Sequence, residues 1–342
     1  MNLRELSEKL GLSQTTVSRA LNGYPEVSEA TRQRVIAAAA LHDYQPDARA
    51  RGLATGQSKA IGHVIPLSDH NEMVNVVFAD FIAGAGETYA RHGYDLMMSV
   101  VDAGDEAQTY RRLARRRTVD GVILHAPTRD DPRIPLLQGL GLPFVVHGRS
   151  SDVASDYNWL DVDNRRAIER AAKLLIDLGH RRIALINGDE RMDFALRRRM
   201  GYLAALEAND ITPDPMLMRS AEMTEPFGHA SALELLDHDA PPTAFIASSI
   251  VAALGIRRAI EERGLRLGSD VSVICFDDEI SYFPNGTREP IFTAPRSSVR
   301  AAGRRCAEIL IAQINQPNAD TVQELWEAEL VLGGSTGPAV RA

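Results

Sequence analysis

Apolar positions recur at two periods along the chain, and the change from one to the other divides it. At the N-terminus the period is helical: Leu3, Leu6 and Leu10 stand at i, i+3 and i+7 and define one stripe. Gly11 breaks that helix, and the stretch LSQTTVSRALNG (12–23) starts a second. Ser13 is its predicted cap, Val17, Ala20 and Leu21 its inner face, and Gly23, after Asn22, its stop. Gln14, Thr15, Ser18 and Arg19 then face outward, at spacings that fit one groove of a nucleic acid. A third helix is predicted over 28–41, capped by Ser28, with Val35, Ile36, Ala39 and Leu41 as its apolar side. Two short helices joined by a Gly-containing turn are the helix-turn-helix signature.

From Lys59 onward strands alternate with helices. Strands are expected at 60–66, 94–101, 120–125, 143–147, 159–162, 182–187, 244–247 and 271–276. Helices are expected at 78–92, 105–117, 164–178, 193–209, 250–263 and 297–314, with a last extended piece at 324–332. Apolar strands alternating with helices predict an α/β fold of parallel sheets covered on both faces, here two doubly wound lobes with a ligand cleft at the strands' carboxyl ends. Between head and body, Tyr44-Gln45-Pro46-Asp47 reads as a turn. The short run Ala48-Arg49-Ala50-Arg51-Gly52-Leu53 that follows is too small to hold a helix alone and suits folding on a partner. Arg49 and Arg51 are placed to meet phosphates, and Leu53 to wedge between base steps; a plain linker is the alternative.

Composition narrows the function classes. The 342 residues are 44% apolar and 25% charged, ordinary for a globular protein of two or three domains. Charge lies throughout MNLRELSEKL, so neither a signal peptide nor a membrane span is expected, and the cytoplasm is the expected compartment. Cys275 and Cys306 lie in apolar segments without metal spacing, as buried reduced thiols would. The net charge of −8 hides an asymmetry: residues 1–58 carry seven basic and six acidic side chains, and the rest is acidic. A near-neutral head on an acidic body lends weak support to DNA binding by the head alone.

SQTTVSRALNG, then Val27-Ser28 with Thr31-Arg32 and Val35, then Tyr44-x-Pro46 and Leu53-x-Thr55-Gly56, resembles the head and hinge of the LacI/GalR family of bacterial repressors. The body resembles that family's type I periplasmic-binding fold, through LGHRRIA (178–184), Arg198-x-x-Gly201-Tyr202, Pro242-Thr243-Ala244 and VSVICFDD (271–278). The resemblance implies a DNA-reading set of Ser13, Gln14, Thr15, Thr16, Ser18, Arg19, Asn22 and Tyr24, with Ala50 and Leu53 in the hinge. It implies a head at 1–46, a hinge helix at 47–58, a body at 59–334 and a tail at 335–342. The N-lobe would take 59–161 and 292–318, the C-lobe 162–291 and 319–334, with crossings at 161–164, 289–295 and 317–321. It also implies a homodimer on a palindromic operator, released by a small effector. No leucine heptad follows Leu332, so a tetramerising tail is not expected.

Sugars call for paired hydrogen bonds to hydroxyls and an apolar face for the ring. Strand ends supply Asp69, Asn75, Phe78, His125, His147 and Arg149 in the first lobe, and Arg198, Ser248, Phe276 and Asp277 in the second. Family position favours Arg198 and Asp277 for direct contact. Ala247-Ser248-Ser249 stands where the family commonly has Ala-Asn-Asp, which predicts a roomier pocket, and the loop 67–77 is longer than usual. The chain most resembles repressors of alpha-glucoside utilisation genes, so a mono- or disaccharide is expected; a non-sugar ligand or a co-repressor is the alternative. No cofactor or metal is expected, since the nine His include no pair at ligand spacing. Gly84-Ala85-Gly86 is no dinucleotide turn, and the runs Arg115-Arg116-Arg117 and Arg197-Arg198-Arg199 read as mostly solvated. A catalytic constellation is missing, which argues against an enzyme, and a sugar-binding protein without a gene-control role would lack the head.

Overall fold

A computed structural model describes residues 1–44, 57–67, 75–102 and 104–340. The head is three helices: α1 (Leu3–Leu10), α2 (Gln14–Leu21) and α3 (Glu29–Leu41). Asn2, Ser13 and Ser28 cap them through their side chains. Leu6, Val17, Ala20, Val27, Val35 and Ala39 form its core. Ile36 and Leu41, expected inside, are 45% and 79% exposed. Three helices this short enclose a narrow core, and α3 turns only its Val35–Ala39 edge into it.

The N-lobe sheet is wholly parallel. Its strands are β1 (Ala60–Leu67), β2 (Asp95–Asp102), β3 (Gly121–His125), β4 (Phe144–His147) and β5 (Asn158–Val162), joined late in the chain by β11 (Gln323–Trp326). Their order is β11-β5-β4-β3-β1-β2. Helices α4 (Val76–Arg91), α5 (Glu106–Arg116) and α6 (Arg133–Leu140), with α11 (Val299–Asn315), cover its faces. The edge strand β2 leaves Leu96, Met98 and Val100 about two-fifths exposed on one side. Where the chain enters β1, Asp120 accepts from the backbone N–H groups of Ser58 and Lys59 at 2.6 and 2.9 Å.

In the C-lobe, β6 (Ile183–Asn187), β7 (Met218–Ser220), β8 (Ala244–Ala247) and β9 (Ser272–Cys275) run parallel in the order β7-β6-β8-β9. Helices α7 (Asn164–Asp177), α8 (Asp193–Glu207), α9 (Glu225–Leu236) and α10 (Ile250–Glu262) flank them. An antiparallel pair, β10 (Ala294–Arg296) and β12 (Glu329–Val331), lies beside β9 through a bridge between Ile274 and Thr293. The expected crossings therefore move. The chain returns to the N-lobe after β10, and because Gln323–Trp326 pairs with β5, the last crossing falls at Glu327–Ala328 rather than at 317–321. The six-stranded sheet needs β11 as its edge, which a reading of local periodicity does not reveal.

Three helix pairs pack with no clearance. A Cβ on Gly84 in α4 would lie 2.0 Å from the Arg300 carbonyl oxygen, and one on Gly303 in α11 would lie 2.1 Å from that of Phe81. Gly228 and Gly255 play the same reciprocal part between α9 and α10, and Gly201 in α8 approaches the Arg165 carbonyl of α7. A side chain at any of them would force the helices apart.

Candidate functional site

In the head, the Ser13 hydroxyl accepts from the Thr16 N–H at 3.0 Å and lies 2.8 Å from the Thr16 hydroxyl. Both side chains are thus engaged at the helix start. Val17 and Ala20 anchor α2 from beneath, leaving Gln14, Thr15 and Arg19 exposed and Ser18 half-buried on its outer side. Asn22 donates to the Ser18 carbonyl at 2.9 Å, and Arg32 donates to the Tyr24 carbonyl at 3.0 Å, which fixes the turn after the helix. What the head offers is one polar, donor- and acceptor-rich face on a rigidly capped helix. Ala50 and Leu53, with Arg49 and Arg51, lie outside the described residues.

In the body the strongest convergence surrounds Arg198, which is buried on α8. Its guanidinium lies 4.0 Å over the ring of Phe276 and 5.0 Å from that of Phe194. Nε donates to Asn164 Oδ1 at 2.8 Å and Nη1 to the Ser248 carbonyl at 2.5 Å. Two of its five N–H groups are spent in holding it flat, and the fork remains otherwise available for paired recognition of hydroxyls. The charge facing it is Asp278, whose carboxyl burial pushes up to about 7, helped by neighbouring Asp277 and opposed by Arg198. Burial also lowers Arg198 to about 10.

Asp277 turns elsewhere. Its carboxylate accepts from the Glu279 N–H at 2.9 Å and lines a cavity of about 270 Å³ with Ile280, Pro284 and Arg296. Ser248 is fully buried and donates its hydroxyl to Asn187 Oδ1 at 2.7 Å, so it serves the site through its carbonyl. Phe276 is the platform beneath Arg198. Arg197, expected in solvent, is buried: Nη1 is 2.8 Å from Asp161 Oδ2 and Nη2 is 2.9 Å from Asp193 Oδ2. Arg149 reaches the same Asp161 oxygen at 3.1 Å and lies over Trp159. The contacts to Asp161 are short but poorly aligned as hydrogen bonds. Asp161 is the penultimate residue of β5, at the first crossing, so this cluster ties the lobes together. Ser151 donating to Asp193 at 2.9 Å, and the Asp193 N–H donating to the Pro127 carbonyl at 3.0 Å, reinforce it.

On the N-lobe side, His125 and His147 are register partners at the ends of β3 and β4. Phe78 meets the His125 ring edge-on at 5.0 Å, and Phe81 packs on both histidines. Burial lowers His147 to about 4 and holds His125 well below its ordinary value. Asn75 spends its carbonyl oxygen on capping α4, accepting from Val77 and Phe78. Asp69 lies outside the described residues. Sequence reasoning missed Asp278, Asn164, Asp161 and His63. The Asp277-Asp278 doublet was visible, but beyond the end of a strand no periodicity says which carboxylate turns inward. No helix among the described residues is long and apolar enough to cross a membrane, and no group of three or more His, Cys, Asp or Glu among them is placed to hold a metal.

Comparison with known proteins agrees with this fold. Residues 2–47 match the family described as bacterial regulatory proteins, lacI family, and residues 172–336 match a periplasmic binding protein-like domain. The HTH-type transcriptional regulator AglR of Rhizobium meliloti is 45% identical over 340 residues, which cover 99% of this chain and 95% of that one. The lac repressor dimer bound to operator and the anti-inducer ONPF aligns over 98% of this chain and 99% of its own, with a TM-score of 0.82 at 27% identity. The complex of the transcriptional regulator CelR with cellobiose aligns over the same shares, with a TM-score of 0.72 at 27% identity. Head, body and their order along the whole length coincide, and this chain belongs to the LacI family of bacterial regulators, which are DNA-binding proteins rather than enzymes.

Proposed function

We propose that the protein is a cytoplasmic homodimeric repressor that reads a palindromic operator with two copies of α2 and leaves it on binding a sugar, an alpha-glucoside of one or two units. The observation that carries the reading is the pairing of two faces in one chain: the exposed polar face of the Ser13-capped helix, and Arg198 held flat on Phe276 opposite Asp278. Gln14 and Thr15 read base edges; Ser18, Arg19, Asn22 and Tyr24 position the helix on the backbone. Two-fold symmetry of the protein matches two half-sites. The exposed Leu96, Met98 and Val100 on β2 suit the second copy.

In the body, Arg198 and Asp278 bind sugar hydroxyls, while Phe78 and His125 face the ring from the other lobe. Asn164 links Arg198 to Asp161, accepting from the one at 2.8 Å and donating to the other at 3.3 Å. A hydroxyl that draws on Arg198 therefore acts on the Asp161–Arg197–Arg149 tie at the first crossing. That couples the cleft to lobe orientation and hence to the spacing of the two hinges. Coupling of this kind is worth about 1–3 kcal/mol and is reciprocal. The complex of CelR with cellobiose, a glucose disaccharide bound by a neighbour similar over its full length, supports a sugar of that size.

A thermal-shift panel of mono- and disaccharides, followed by the effect of each hit on a gel shift with the DNA upstream of its own operon, tests the reading. Stabilisation by an alpha-glucoside that also releases the DNA is the expected result. A panel in which only purines or amino acids stabilise the protein overturns the sugar assignment, and a hit that tightens the DNA complex makes the ligand a co-repressor. Leu53→Ala should sharply weaken operator binding while leaving ligand affinity nearly intact.

A further inference from the structure

His63 sits inside the N-lobe sheet, fully buried on β1, where the family resemblance assigned nothing. Its two ring nitrogens are both engaged: Nε2 lies 2.9 Å from the Tyr89 hydroxyl, and Nδ1 lies 2.9 Å from His125 Nε2. The His63 and His125 rings are nearly parallel, 5.2 Å apart. Tyr89 is itself 1% exposed, on α4. We infer that Tyr89, His63 and His125 form a one-way hydrogen-bond relay that makes His125 Nδ1 an obligate donor to an acceptor oxygen of the effector.

The direction follows from proton counting. Burial lowers His63 to about 3 and holds His125 well down, so both rings are neutral and each carries one N–H. Among the described residues the Tyr89 hydroxyl has no other hydrogen-bond partner than His63. Were His63 Nε2 to carry the proton, the phenol hydrogen would be stranded in the core, a bias of about tenfold or more against that tautomer. Tyr89 therefore donates to Nε2, His63 Nδ1–H donates to His125 Nε2, and the His125 proton is forced onto Nδ1. His125 is half-buried at the end of β3, with Phe78 and Phe81 edge-on to its ring and His147 and Arg133 as the neighbouring charged or titratable groups. A neutral Nδ1–H donates and cannot accept. It selects a ring or glycosidic ether oxygen, or a hydroxyl lone pair, at that point of the ligand. His63 and Tyr89 are positioning residues, since neither meets the cleft.

The effector half of this inference rests on the proposed sugar-binding site; the relay half does not. Long-range proton–nitrogen NMR of the full-length protein labelled with ¹⁵N-histidine reads each tautomer directly. Both His63 and His125 should be protonated on Nδ1, and in Tyr89→Phe both should become tautomer mixtures. His125 protonated on Nε2 in the wild type overturns the relay. Calorimetry with maltose as the probe should show about tenfold weaker binding for Tyr89→Phe and for His63→Leu. His63→Asn, whose amide can still donate to His125, should recover most of it. Equal affinities in all four proteins would overturn the donor role. If the tautomers are as expected and maltose does not bind, the relay stands and the effector assignment falls.

Discussion

Asp278 faces Arg198 at a cost to the folded protein, and removing its charge should expose that cost. Moving a carboxyl from 3.8 to about 7 means that ionising it in the fold costs about 4 kcal/mol more than in the unfolded chain. The side chain keeps some solvent contact, so about 2 kcal/mol is the working figure. The sign follows from proton binding. Between roughly pH 4 and 7 the folded protein holds a proton that the unfolded chain has released, so this group's contribution falls as pH rises through that window. His63, His125 and His147, all lowered, act in the opposite sense up to their ordinary value of 6.5. They are common to both proteins and cancel in the difference. Asp278→Asn should therefore melt several degrees above wild type at pH 8, with the gap closing toward pH 5. The same variant should bind effector at least tenfold more weakly, since a hydrogen bond to a charged group is worth about 1.5–3 kcal/mol. A variant that melts below wild type at pH 8, or a gap unchanged at pH 5, would refute the reasoning.

Other substitutions separate the parts. Ser13→Ala should cost the head about 1 kcal/mol through the lost cap, seen as earlier melting of an isotopically labelled head by NMR. Gln14→Ala and Thr15→Ala should leave that melting unchanged yet weaken operator binding by about 1–3 kcal/mol in a gel shift. Arg197→Leu leaves Asp161 and Asp193 without their shared partner, and a loss of about 3–5 kcal/mol is expected in urea unfolding. Met98→Asp should yield monomers by light scattering if the β2 stripe carries the second copy.

Much of this was legible where one residue type has one physical use. Ser13, Ser28 and Gly23 mark helix ends because capping and a left-handed turn admit few alternatives. Strands β3, β6 and β8 are continuous apolar runs, and were read to within a residue or two. Two helices escaped notice for the same kind of reason. α6 carries Pro135 in its first turn, and α9 carries Pro226 and Gly228, which look like breakers. Gly228 is there because the Ala252 carbonyl would lie 2.1 Å from its Cβ, a tertiary demand that no local pattern encodes. At the site, family position points to Arg198 and Asp277, and the end of its strand supplies Phe276. The arginine run hid the burial of Arg198, because the groups that make it tolerable, the Asp161 and Asp278 carboxyls and the Asn164 amide oxygen, come from distant parts of the chain.

The glycine crossings bear on how such a protein can signal at all. Helices seated against one another's backbones have no room to slide, so neither lobe can absorb a ligand's pull as internal slack. Each behaves as a machined block, and the crossing strands, with the Asp161–Arg197–Asp193 cluster beside the first of them, are bearings between the two. A small closure at the cleft must then arrive at the far end of the block as leverage, enlarged by distance instead of damped. A single methyl group at Gly84 or Gly303 would act as a shim in that mechanism. It would loosen the block before it touched either the sugar or the DNA.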